Sequence, residues 1–263
     1  MPDFIDYAQF ANHWLQQYSG MANINKDDMV DLVDLCGLSE NWLCRVIPRG
    51  QVSVDGRDDE WGNAIWMPLG VVYYKNPEDV EMARFAVRWD ESTQKIYVVV
   101  VVEDLQQDFV SDYKEGDYWA ASDRIEVYAQ GSAAGGEGWQ GSGEEGRYDL
   151  AQQYMIGPNN SGGWWQRWAL GQVIEPNAEL ESAVNVHETT IVYEVGLKMF
   201  DFYGARAGGQ TIPTHLETGL TVGFDVVVDT VHPGIDGFGM LSENRMRNKS
   251  VNADNFAKYV LVD

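Results

Sequence analysis

Two kinds of hydrophobic pattern divide this chain. Near the start, Phe4, Tyr7, Ala8, Ala11 and Leu15 fall at helical spacing, as do Leu32, Leu35, Leu38 and Trp42. The two sets belong to one repeated phrase: Asp3 to Leu15 returns as Asp31 to Leu43, each copy opening on paired aspartates. Carboxylates suit a helix entry, where unpaired N–H groups and the dipole favour negative charge. From about residue 46 the helical period gives way to short β-favouring runs at 84–90, 95–103, 124–130, 152–156, 164–170, 190–197, 220–228 and 256–262. Within one run Ile125, Val127 and Ala129 alternate with Arg124, Glu126, Tyr128 and Gln130, so one face meets a core and the other solvent or ligand. The pattern predicts a mainly β protein: an antiparallel two-sheet β-sandwich over 50–263, preceded by a small α-helical module over 1–45. Residues 132–146, rich in Gly, Ser and Glu, are expected to form a mobile loop, and 174–180 a second irregular connection.

The segment before the second helix has its own chemistry. Asn23, Asn25, Asp27, Asp31 and Asp34 occupy positions 1, 3, 5, 9 and 12 of a twelve-residue loop, and Met29 at position 7 offers a backbone carbonyl. A hard cation such as Ca²⁺ takes six to eight oxygens, and this alternation aims them inward from a tight loop. Asn23 stands where such loops usually carry Asp, and Asp28 where they carry the turn glycine. A solvated acidic turn followed by an N-cap is the competing reading. Residues 1–44 resemble a type I dockerin, built from two copies of an EF-hand-like calcium loop and helix. The first copy retains only Asp3 and Asp6 of its ligand positions. The resemblance implies bound calcium and a cohesin-type protein partner.

Charge removes one class of partner. Forty-one acidic against 18 basic residues give a formal charge of −23, which opposes a phosphate backbone and so argues against nucleic acid. The longest apolar run, 96–102, is far short of the ~20 residues that span a bilayer and reads as a buried strand, so no membrane partner is expected. The two cysteines, Cys36 and Cys44, would lie about 12 Å apart on one helix, beyond the ~7 Å a disulfide tolerates. Cys36 is expected to be buried and Cys44 free. The chain opens inside a repeat, so its lack of a leader is uninformative, and a secreted or extracellular protein is expected.

The sandwich carries a second resemblance. Val54-Asp55-Gly56 with Asp59-Glu60-Trp61 opens it. Ala86 to Asp90, Ile96-Tyr97-Val98 with Glu103-Asp104, and Trp119 before Asp123 to Tyr128 follow in order. Val222 to Val226 comes later, and 256–262 closes the set. In order and spacing this resembles a family 9 carbohydrate-binding module. The resemblance implies a non-catalytic sandwich that holds polysaccharide or oligosaccharide ends between two tryptophans, with structural calcium. Trp119 matches the first clamp tryptophan and Glu126 a sugar-contacting glutamate. Met155 stands where the family places an arginine, and 247–255, where the second clamp belongs, has no aromatic residue.

Other tryptophans offer compensation. Trp164, Trp165 and Trp168 follow a glycine-rich loop, and Trp139 lies within another. Sugar C–H faces rest on aromatic faces while hydroxyls need polar partners, so Arg147, Gln153 and Tyr154 join the candidate ligand set. Trp164 and Trp165 are adjacent, so on a strand they face opposite sides. Trp61 and Trp89 read as core. Glu103, Asp104 and Asp229 are acids at strand ends that the resemblance makes candidates for a further calcium site. No residues mark a catalytic acid–nucleophile pair, and Gly141-Ser142-Gly143 lacks the strand–turn–helix setting of a nucleophile elbow. Haem ligation by His187, His215 or His232 competes with ordinary surface histidines. A structural or adhesive sandwich without a sugar site is the main alternative.

Overall fold

The computed structural model describes residues 45–74, 76–108, 122–135, 151–159, 162–169, 172–174, 180–202, 211–231, 238–243, 249 and 252–263. The repeat expected to be helical, both cysteines and the candidate calcium loop (Asn23, Asn25, Asp27, Met29, Asp31, Asp34) lie outside them. The described chain is built from sixteen strands. The first six are β1 (Val46–Pro48), β2 (Met67–Pro68), β3 (Val71–Tyr74), β4 (Val80–Asp90), β5 (Lys95–Asp104) and β6 (Arg124–Gln130). Next come β7 (Gln152–Gly157), β8 (Trp164–Ala169), β9 (Gln172–Ile174), β10 (Leu180–His187) and β11 (Thr190–Leu197). The last are β12 (Phe200–Phe202), β13 (Ile212–Pro213), β14 (Thr221–Val231), β15 (Phe238–Ser242) and β16 (Ala257–Val262). Among the described residues the only helical turns are short 3₁₀ turns at Asp59–Trp61 and Ala253–Asn255, and no helix is long and apolar enough to cross a membrane.

One sheet runs β1-β16-β14-β6-β7-β8-β9, with β15 beside the second half of β14 and β3 beyond it. The other runs β10-β11-β5-β4-β2. Neighbours are antiparallel except β1 and β16. One apolar cluster fills the space between the sheets: Ile125, Val127, Tyr154, Ile156, Val226 and Leu261 from the first, Phe85, Val98, Val100, Tyr193 and Val195 from the second. Interdigitation of two inner faces is what the alternating strands require.

β5 is apolar on both faces because both are covered. Val98, Val100 and Val102 enter the central core. Tyr97, Val99 and Val101 pack outward against Trp61, Val52, Val54, Ala64 and Trp66. The covering segment is held by Glu194 of β11, which accepts hydrogen bonds from Trp61 Nε1 (2.7 Å) and the amides of Asp55 and Gly56 (2.8 Å each). Gly56 adopts φ +81°, a left-handed conformation open to glycine, which lets two successive amides converge on one oxygen. Arg88 and Arg84 lie over the Trp61 and Trp66 rings at 5.1 and 4.3 Å. Trp61 and Trp89 are both fully buried, as expected, and Trp89 Nε1 donates to the Val262 carbonyl at 2.8 Å.

All eight strands expected from the sequence are present. β9 and β10 were not expected: Ile174 closes β9 and Leu180 opens β10, at the two ends of the expected irregular connection, whose residues 175–179 lie outside the described residues. Residues 136–146 of the expected mobile loop lie outside the described residues.

Candidate functional site

The outer face of the first sheet carries a polar array. On β6 the inward positions are Ile125, Val127 and Ala129, which leaves Arg124, Glu126, Tyr128 and Gln130 on the opposite face. Cross-strand register adds their neighbours. Glu126 lies opposite Met155 of β7 and Val227 of β14; Tyr128 lies opposite Gln153 and Asp225; Arg124 lies opposite Asp229.

These side chains bond to one another. Tyr128 donates its hydroxyl proton to Glu126 Oε2, and Gln153 Nε2 donates to the same oxygen at 2.8 Å and stands 3.2 Å from the Tyr128 hydroxyl. Arg124 pairs with Asp229 through Nη2, which also stands 3.9 Å from Glu126 Oε1. Beside them Lys249 Nζ donates to Asp225 Oδ1 at 2.8 Å and to Ser242 Oγ, and lies 5.2 Å from the Tyr73 ring. A small apolar cluster seats the group: Tyr128, Ala151, Val227, Met240, Ala253 and Phe256, with the Tyr128 and Phe256 rings 5.5 Å apart.

Burial governs the electrostatics. Glu126 and Gln153 are 5% and 4% exposed; Arg124, Asp225, Asp229 and Lys249 are fully enclosed. Burial pushes the Asp229 carboxyl well above its ordinary range, against the pull of Arg124. Burial, then the charge of Glu126, pushes the Tyr128 phenol well above its usual value, so it stays a neutral donor. Two donors therefore occupy Glu126 Oε2. Its Oε1 stands 3.9 Å from Arg124 Nη2, too far for a strong hydrogen bond, and the Asp229 carboxyl lies within hydrogen-bond reach of Glu126 as well.

The structure brings together two of the candidate residues, Glu126 and Gln153. Tyr154 requires a correction. It alternates to the inner face, is 1% exposed within the central core, and its hydroxyl accepts from Gln152 Nε2, so it points away from Glu126. For the adjacent tryptophans the backbone register decides the face. Trp165 pairs with Ile156, a core position, and Trp164 with Gly157, on the parity of Met155 and Gln153. Trp119, Arg147 and Trp139 lie outside the described residues. Residues missed as candidates are Arg124, Tyr128, Asp225, Asp229 in its pairing role, and Lys249. The β6 alternation already placed Arg124 and Tyr128 beside Glu126; nothing in the sequence signalled Lys249.

Two of the strand-end acids are engaged by other side chains. Glu103 accepts from the hydroxyls of Thr190 (2.9 and 3.0 Å) and Thr189 (3.3 Å), and Asp229 is paired with Arg124. Among the described residues, no group of three or more His, Cys, Asp or Glu side chains is arranged to hold a metal. Asp123, just before β6, accepts from the Val231 amide at 2.7 Å and from the Asp108 amide. Burial, with smaller contributions from Asp104 and Asp108, lifts its carboxyl from 3.8 to about 8. A carboxyl raised on folding makes the folded state hold its proton longer than the unfolded chain. Its stabilising contribution is therefore complete below about pH 4 and lost as pH rises through about 8. The urea midpoint is expected to fall between pH 5 and 8.5; a midpoint that rises over that interval contradicts the assignment.

The sequence matches no family model and no curated protein. Solved structures do match. One is a family 9 carbohydrate-binding module from Caldicellulosiruptor kristjanssonii in complex with glucose, with a TM-score of 0.59 at 15% identity, covering 82% of this chain and 94% of that one. Another is a family 9 module from the same organism in complex with cellotriose, with a TM-score of 0.60 at 14% identity, covering 83% and 93%. The fold is that of a family 9 carbohydrate-binding module. At this identity the likeness is one of architecture, and it extends over nearly the whole length of both family 9 modules.

Proposed function

We propose that this chain binds carbohydrate without catalysis, and that the outer face of the first sheet, centred on Glu126, receives the sugar. The observation that carries this reading is the state of Glu126. Its Oε2 is anchored by Tyr128 and Gln153, and its Oε1 stands beyond strong hydrogen-bond distance of Arg124. A carboxylate held in place by two donors is a ready acceptor for sugar hydroxyls. The fold shared with modules solved with glucose and cellotriose supports the same ligand class. In this reading Trp119 supplies a stacking face and Arg147 a further polar contact.

The N-terminal repeat extends the proposal. The loop of Asn23, Asn25, Asp27, Met29, Asp31 and Asp34 would hold calcium through oxygen ligands and order a dockerin-like helix for a cohesin-type partner. Such a protein belongs outside the cell. Calorimetric titration with calcium tests this part separately from sugar binding.

One observation favours the second reading, a structural sandwich without a sugar site. The polar face is nearly closed, with Glu126 and Gln153 about as buried as core residues. Trp119→Ala separates the two. If Trp119 stacks on sugar, the variant should lose about tenfold or more in affinity on glycan affinity gels while keeping the wild-type melting temperature. Unchanged retention would remove Trp119 from the site.

A further inference from the structure

A cleft of about 310 Å³ opens where three connections meet, and it shares no residue with the Glu126 network. Lys198 and Met199, which join β11 to β12, form one side. Pro213, Thr214 and His215, at the end of β13 and just beyond, form another, and Gln94 closes it from the β4–β5 turn. The walls are tied to one another. Gln94 Oε1 accepts from the Leu216 amide at 2.9 Å, and its Nε2 donates to the carbonyls of Leu216 (3.2 Å) and Glu91 (2.8 Å). The Thr214 amide donates to the Met199 carbonyl at 2.9 Å, and the Thr214 hydroxyl to Asp201 at 2.8 Å. A cleft with cross-bonded walls is preformed, as small-molecule sites usually are. Met199 and Leu216 belong to the central core, so the cleft stands on a fixed base.

Its chemistry selects a ligand class. The Gln94 amide and the Thr214 hydroxyl are engaged within the protein, which leaves a hydroxyl-rich ligand few partners there. Lys198, half-buried, and His215, exposed, make no side-chain hydrogen bond or ion pair among the described residues. An ammonium without a carboxylate partner, beside a ring N–H, is a ready contact for an anion. Met199 and Pro213 offer an apolar surface next to it. A volume of about 310 Å³ is near the lower limit of the roughly 300–1,000 Å³ of small-molecule sites, which suits one ring with a short arm. We propose that this cleft is a second ligand site, and that it takes a small carboxylic acid with an apolar body, the carboxylate on Lys198 and His215 and the ring against Met199 and Pro213.

The test is titration of the full chain with cinnamate, followed by calorimetry and by the amide NMR signals of Lys198, Thr214 and His215. Cinnamate should shift those signals saturably. Cinnamamide, of the same shape without the charge, and glucuronate, a carboxylate on a polar body, should each bind at least tenfold more weakly. Lys198→Met should cost about tenfold on cinnamate with an unchanged melting temperature, and Lys198→Arg, which keeps a cation, should retain most of the affinity. Glu126→Gln should leave cinnamate binding as it is, so the two sites fail or stand separately. No saturable shift of the three signals by about 10 mM cinnamate, well past a millimolar Kd, would overturn the proposal. So would cinnamamide or glucuronate binding as tightly as cinnamate, or Lys198→Met binding it as the wild type does.

Discussion

Lys249→Ala is expected to lower the free energy of unfolding by about 3–5 kcal/mol. That is a large share of the roughly 5–15 kcal/mol by which a domain is ordinarily stable. Lys249 and Asp225 are both fully enclosed and 2.8 Å apart, with Ser242 and the Tyr73 ring beside the ammonium. Removing the cation strands a carboxylate beside the small cluster of Tyr128, Val227, Met240 and Phe256. Lys249→Met preserves most of the volume and should still cost several kcal/mol, because the loss is electrostatic. Joining it to Asp225→Leu removes both charges and should recover much of the stability. Urea denaturation of the four proteins checks this. A double variant no more stable than Lys249→Met would show that the pair's charges are not the origin of the loss.

Glu126→Gln is expected to reduce sugar affinity by about one to two orders of magnitude, at little cost in stability. The amide oxygen can replace Oε2 as acceptor for Tyr128 and Gln153. The amide nitrogen then takes the place of Oε1, where it presents N–H donors in place of a charged acceptor. A hydrogen bond to a charged group contributes about 1.5–3 kcal/mol, which sets the size of the effect. Calorimetric titration with a matched thermal melt separates lost recognition from lost folding.

Much of this arrangement is legible in the sequence because it follows from alternation. β6 gave its two faces away, since Ile125, Val127 and Ala129 are uniformly apolar and their neighbours uniformly polar or amphipathic. The apolar run of β5 announced burial on both faces. β7 was harder to read. Gln152 and Tyr154 alternate inward while Gln153 and Met155 alternate outward, and all four are buried. A polar network on one side and a core glutamine on the other blur the contrast that pattern reading depends on, and so Tyr154, a core residue, entered the candidate ligand set. β10 was missed for a related reason: among the described strands it pairs with β11 alone, and several of its side chains are exposed or half-buried polar groups. Lys249 lies in a connection with no periodicity, so only tertiary structure reveals its pairing with Asp225.

The central claim is that the face around Glu126 binds sugar, and calorimetry of wild-type protein against cellotriose beside Glu126→Gln tests it most directly. The account predicts saturable heat in the wild type at one ligand per chain, weakened at least tenfold in the variant while its melting temperature holds. Saturable binding of equal strength in both proteins would contradict it.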